Sequence, residues 1–292
     1  MRTVSVGEYG VTAEFEVHSF GAGAPHVFFT AGIHGNEVTG VYVARRLIEY
    51  LTAHPPLRGS VTVIPTVNAT ALRCMQRRSP FDGEDLNRIF PGRADGTLSH
   101  RLAAAVWAET EPADLVVDLH CCGQHGLPYL LSIYPESPAV RDLVRRITMP
   151  VAVQSEGTGG QLFTESVRRR GQAACIIELP SGAGDGAVNA AVGDRCFAAL
   201  LDLLRTEGVT AGAVEGEAPA FYGKLLDAET PLCGLWRPAV ARGESVTAGQ
   251  TLGTVEGAPV PAPADGFVMS ALPCGYLRPG DGWVMTYIQP ER

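Results

Sequence analysis

From residue 26 to about residue 205, short continuous apolar runs take turns with stretches whose apolar residues recur at helical spacing. HVFFTAG, SVTVIPTV, DLVVDLH, YLLSIYP, VAVQS and AACIIELP are of the first kind, bounded by glycine, proline or polar residues, and read as strands. Helical periodicity covers roughly 38–52, 98–110, 137–148, 160–170 and 187–205. Strand and helix alternating at this spacing predict a doubly wound α/β sheet with helices on both faces. Ahead of it, the first twenty residues alternate polar and apolar positions and lead through the turn-like GAGAP into the first buried run, as a strand or hairpin would. The segment NATALRCMQRRSPFDGEDLNRIFPGRADG has no clear period, and a loop that long in a compact domain is usually functional.

Beyond about residue 212 the helical spacing stops, and β-prone runs are cut short by glycine and proline. The pattern therefore predicts two units, a catalytic α/β domain over 1–212 and a small all-β domain over 213–292. Within the second, ESVTAGQTLGTV and PAPADGFV resemble the half-repeats of biotinyl and lipoyl barrel-sandwich domains. Those carriers attach their cofactor to a hairpin lysine, and PADGFVMS has none, so the resemblance concerns shape alone.

Composition narrows the function. With 31 acidic against 23 basic residues the net charge is -8, which repels a nucleic-acid backbone and anionic lipid alike. The expected partner is a small molecule, with no nucleic acid and no membrane; homo-oligomerisation is left open. Lys224 is the sole lysine, so the positive charge is nearly all arginine, suited to planar carboxylates but equally the product of a coding bias. No apolar run reaches the length of a membrane span, and the N-terminus lacks the apolar core of a signal peptide. Seven cysteines without framework spacing suggest reduced thiols and a cytoplasmic address.

Candidate chemistry sits where strands end. His34 and Glu37 follow HVFFTAG, between glycines that allow a sharp turn, and His120 ends DLVVDLH. Two histidines and a carboxylate with one position left to water make a catalytic zinc set, and Asp118 could fix an imidazole tautomer. Glu178 closes AACIIELP, where partial burial raises a carboxyl toward the range of a general base; a salt bridge to arginine is the other reading. In DLNRIFPG, Asn87 and Arg88 could hold a substrate carboxylate or merely form a solvated Asx turn. Arg77 or Arg78 could stabilise an oxyanion.

GIHGNE, DLNR, DLH and ELP, in that order over about the first 205 residues, resemble the succinylglutamate desuccinylase and aspartoacylase family of the zinc carboxypeptidase superfamily. The resemblance implies a mixed, carboxypeptidase-like α/β fold, one zinc per chain, and hydrolysis of an N-acyl amide on a small amino acid. It assigns His34, Glu37 and His120 to the metal, Glu178 to catalysis, and Asn87 and Arg88 to the substrate carboxylate. Arg77 is favoured for the oxyanion by similarity to R-x-S-P-x-D loops, and Arg168 in ESVRRRG corresponds to a further substrate arginine. DLHCCGQHG departs from the family's usual sequence after the third ligand, so Cys121, Cys122, Gln124 and His125 are expected to line a different acyl pocket. Adjacent thiols beside such a site also raise an extra ligand or redox sensitivity, against the plainer reading of buried cysteines. Two rivals remain: a metallocarboxypeptidase acting on short peptides, and a metal-binding regulatory protein that has lost catalysis.

Overall fold

A computed structural model describes residues 1–8, 10–184 and 186–290. The N-terminal alternation is a hairpin, β1 (Arg2–Glu8) and β2 (Val11–Ala22), and the apolar runs are β3 (His26–Ala31), β4 (Gly59–Ile64), β5 (Leu115–Cys121), β6 (Tyr129–Ser132), β7 (Val151–Gln154) and β8 (Ala173–Leu179). Between them lie α1 (Val38–Ala53), the short α2 (Ala69–Arg73), α3 (Leu98–Glu109), α4 (Pro138–Arg146), α5 (Leu162–Arg170) and α6 (Ala190–Thr206). The period-free segment is irregular apart from α2 and one 3-10 turn, Leu86–Arg88.

These strands pair in the order β1-β2-β4-β3-β5-β8-β6-β7. β4, β3, β5 and β8 are parallel, whereas β6 runs antiparallel to β8 and the hairpin antiparallel to β4, so the sheet is mixed. Because strand side chains alternate faces, each central strand feeds two cores. Val27, Phe29, Leu115, Val117, Cys175 and Ile177 pack under α1, α4 and α6. Phe28, Val116, Ala174 and Ile176 pack under α3 and α5. Helices thus cover both faces, as the periodicity predicts.

That alternation positions the chemistry. Asp118 and His120 follow Val116 at two-residue steps and Glu178 follows Ile176, so all three share the α3/α5 face. His120 and Glu178 are opposite each other in the parallel ladder.

Among its described residues the C-terminal segment carries no helix, as expected, and comprises β9 (Ala220–Glu229), β10 (Gly234–Pro238), β11 (Ser245–Val246), β12 (Thr251–Val255), β13 (Ala258–Pro261), β14 (Gly266–Ala271), β15 (Gly275–Leu277) and β16 (Trp283–Pro290). β10, β12, β13 and β15 form a sheet of their own, and fully buried Trp236 anchors the core beneath it. The segment is nevertheless not a detached appendage. β9 pairs in parallel with β7, and β16, β14 and β11 extend the same ladder to twelve strands. The sheet then curls back: Gly126 bridges to Ser270, and Leu127 donates its N–H to the Met269 carbonyl at 2.8 Å. Asp202 on α6 fastens the connecting chain by accepting from the backbone N–H groups of Glu215 and Gly216.

Candidate active site

His34 lies in the tight turn after β3. Gly32 there has φ +66°, a conformation few side chains tolerate, and a Cβ on Gly35 would stand 2.1 Å from the Ala71 carbonyl carbon. Only glycine lets this turn press against α2 and direct His34 and Glu37 inward. Glu37 precedes the first turn of α1, and His120 arrives from the end of β5.

The three side chains converge, and all are buried. Glu37 places Oε1 at 2.8 Å from His34 Nδ1 and Oε2 at 2.9 Å from His120 Nδ1, while the two Nδ1 atoms are 3.1 Å apart. Each imidazole turns its other nitrogen to a carboxylate: His34 Nε2 to Asp85 Oδ1 at 3.0 Å, and His120 Nε2 to Asp118 Oδ2 at 2.8 Å. Asp118, fully buried, also accepts from Thr30 Oγ1 at 2.7 Å. A carboxylate on Nε2 fixes the proton there and leaves the Nδ1 lone pair facing the centre. Two imidazole lone pairs and a carboxylate aimed at one point repel one another unless a cation lies between them, so the donor set fits a metal ion. The charges of the cluster compensate one another. Burial opposes ionisation of Glu37, yet the flanking His120 and His34 hold its carboxyl well below the usual range. Burial likewise opposes protonation of His120, but Asp118 and Glu37 raise its pKa well above normal.

Glu178 stands beside this cluster, and no described residue donates a hydrogen bond to its carboxylate or pairs with it as a salt bridge. Burial pushes its pKa up to about 7, with the Glu37 charge adding to the effect and His120, His34 and Arg77 opposing it.

Asp85 was not singled out from the sequence and proves central. It is buried, braces His34, and accepts from Arg77 Nε at 3.1 Å and the Asn87 N–H at 3.0 Å. Its position just before a short turn is the one local signal of a capping aspartate. Arg77 reaches further to Glu37 Oε1 at 3.3 Å, whereas Arg78 turns to the Gly83 carbonyl. Arg77 is therefore the arginine brought to the cluster.

Asn87 is buried with its Oδ1 accepting from the Leu162 N–H at 3.0 Å and its amide nitrogen 3.4 Å from His120 Nε2. That carbonyl is committed to the scaffold. Arg88 is exposed, donates to the Asn87 carbonyl, and has no acidic partner among the described residues, so its guanidinium is free for an anion. Arg88→Ala should raise KM for a carboxylated substrate about 10- to 100-fold, the worth of a charge-assisted hydrogen bond, with a smaller change in kcat. Steady-state kinetics with an unchanged KM would place the carboxylate elsewhere.

Arg168 is not brought to the cluster. Its guanidinium grips Glu136 at 3.2 and 2.7 Å and the Gly157 and Glu156 carbonyls, clamping that turn to α5. Gln124 and His125 lie on the loop between β5 and β6, whose Gln124 and Gly126 carbonyls accept from Arg242 of the C-terminal segment. The Cys121 N–H donates to Glu37 Oε2 at 2.9 Å, but its thiol is pushed up to about 11 by burial and by the Glu37 charge. Cys122 is raised well above normal by burial and the Glu178 charge, and its thiol faces the Leu127 carbonyl. Neither sulfur joins the ligand set.

A profile of the succinylglutamate desuccinylase/aspartoacylase catalytic domain matches residues 23–204, well over half of the chain. The chain belongs to that family. Every residue of the cluster, with Glu178, falls inside the family's matched stretch. Among relatives, the N-alpha-acetyl-L-2,4-diaminobutyric acid deacetylase of Halomonas elongata is 29% identical over 248 residues, 79% of this chain and 70% of that protein. The succinylglutamate desuccinylase of Yersinia pestis is 28% identical over 170 residues, 52% of this chain; the match spans only 50% of that enzyme. The crystal structure of an aspartoacylase family protein from Mesorhizobium loti superposes with a TM-score of 0.82 at 24% identity, covering 100% of this chain and 95% of the other. The family fold thus extends through the C-terminal strands.

Proposed function

We propose that the protein is a zinc-dependent deacylase that hydrolyses the N-acyl amide of a small amino acid, giving a carboxylic acid and a free amine. One observation carries the reading: a glutamate with no partner among the described residues stands opposite His120 in the ladder, beside a buried His-Glu-His set. His34, Glu37 and His120 would hold the ion, which when bound acts as a Lewis acid that acidifies water and polarises a carbonyl. Glu178 takes the proton from the attacking water and returns it to the departing nitrogen, so one carboxyl serves as base and then acid. Arg77, steered by Asp85 and Glu37, presents positive charge on the flank where the carbonyl oxygen becomes negative. Arg88 binds the carboxylate, and Asp85 and Asp118 keep both imidazoles aimed.

The relatives' names support amide hydrolysis, and they differ in the charge carried beyond the amide: a second amine in diaminobutyric acid, a free carboxyl in a succinyl group. Seven free cysteines agree with a reducing, cytoplasmic setting, and among the described residues no helix is long and apolar enough to cross a membrane. The test is a screen of the zinc-loaded protein against acetyl, succinyl and longer acyl derivatives of amino acids and diamines, scored by amine release. Turnover of at least one N-acyl amino acid is expected. Release from short peptides alone would make it a carboxypeptidase, and no turnover of any amide would leave the metal-binding reading.

A further inference from the structure

Between β6 and the C-terminal strands the curled sheet leaves a cavity of about 200 Å³. Cys122 and Tyr129 supply its catalytic-side wall, and Leu225, Met269, Asp227 and Trp283 supply the wall from the C-terminal strands. Tyr129 is opposite Glu178 in the β6–β8 ladder, so the cavity begins one strand away from the catalytic carboxylate. Its volume suits about half a dozen non-hydrogen atoms, taking about 30 Å³ as the share of one water molecule.

Asp227 is the one charged group in that lining. In the β9–β16 ladder it faces Thr286, and its Oδ1 accepts from Thr286 Oγ1 at 2.7 Å and from Trp283 Nε1 at 3.1 Å. These two donors fix the carboxylate's direction without neutralising it. No arginine or lysine pairs with it among the described residues. Among the described residues nothing donates to Oδ2. Asp227 is exposed on one side of the cavity, and a carboxylate oriented there, with no cationic partner among the described residues, is complementary to a cation on a short carbon chain.

We infer that this cavity seats the side chain of the amino acid being released and that Asp227 selects a primary ammonium at its end, so that the substrates are N-acylated diamino acids. The inference rests on the deacylase reading for its chemistry, but the seat itself can be tested apart from turnover. In this arrangement Arg88 takes the carboxylate, Glu178 faces the amide, and Asp227 takes the far amine, whereas a neutral chain leaves Asp227 unanswered.

The experiment compares Nα-acetyl-2,4-diaminobutyrate with N-acetylnorvaline, its neutral isostere, in the wild-type protein, Asp227→Asn and Asp227→Glu. The wild type should favour the ammonium substrate at least tenfold in kcat/KM, mainly through KM, as expected of a charge-assisted hydrogen bond. In Asp227→Asn the ratio should fall to within about threefold of unity, and Asp227→Glu should restore part of it. A merely structural role for Asp227 would slow both substrates together and leave the ratio untouched. Absence of preference in the wild type, or a preference that survives Asp227→Asn, overturns the inference while leaving the deacylase intact. If neither amide is cleaved, the deacylase reading fails, and calorimetric titration with free 2,4-diaminobutyrate and norvaline decides the seat. Ammonium-dependent binding lost in Asp227→Asn then supports it, and equal or absent binding refutes it.

Discussion

Glu178→Gln should retain its metal and lower kcat by about 10²- to 10⁴-fold, the contribution typical of a positioned general base. The substitution keeps the volume and polarity of the side chain and removes only its capacity to take a proton. No hydrogen bond to the Glu178 side chain is lost, so thermal stability should change little. The pH profile separates this role from a structural one. Only the carboxylate can accept the proton, so kcat/KM of the wild type should fall as pH drops through the Glu178 pKa. Burial puts that pKa at about 7 in the protein alone, and a bound dication, favouring the charged form, moves it lower. The variant should lack this acidic limb. Wild-type turnover in Glu178→Gln, or an unchanged acidic limb, would remove Glu178 from the mechanism.

His120→Ala carries the second large effect, and it falls on metal content before it falls on rate. Three protein ligands are the least a catalytic zinc site employs, so losing one should reduce zinc from near one per chain to a small fraction, measured by atomic absorption after dialysis. The loss reaches beyond the ion. Asp118 is fully buried and, among the described residues, its side chain accepts hydrogen bonds from His120 and Thr30 only. Without the imidazole its charge is left largely uncompensated, at a cost of about 3–5 kcal/mol for a broken buried pair. A lowered melting temperature should therefore accompany the lost zinc, and Asp118→Asn in the same background should recover part of it. Near-stoichiometric zinc in His120→Ala would overturn the ligand assignment.

The sequence carried a good deal of this site for a physical reason. Buried strands announce themselves as apolar runs, and a polar residue that ends such a run must be paired or used, which marks His120 and Glu178 directly. Glycines mark the turn at His34 because the backbone there tolerates nothing else. Relations between distant segments were not legible. Asp85 lies in plain view in DLNR, but its importance comes from His34, 51 residues away. Nothing in ESVRRRG shows that Arg168 would reach Glu136, because that contact depends on the turn at 155–157 folding over α5. The change of pattern near residue 212 correctly located the end of the helical part. It could not show that β9 would hydrogen-bond to β7, since strand pairing leaves no local trace in composition.

The curl of the sheet has a consequence for how substrate enters. β6, β7, β9, β16 and β14 are joined edge to edge, and the Gly126–Ser270 bridge seals the last strand to the loop that follows His120. The wall facing the reacting bond is thus a hoop and not a flap. A flap swings on one hinge, but a hoop opens only by tearing a seam. On the deacylase proposal, choice among substrates then depends on what the cavity inside that wall admits.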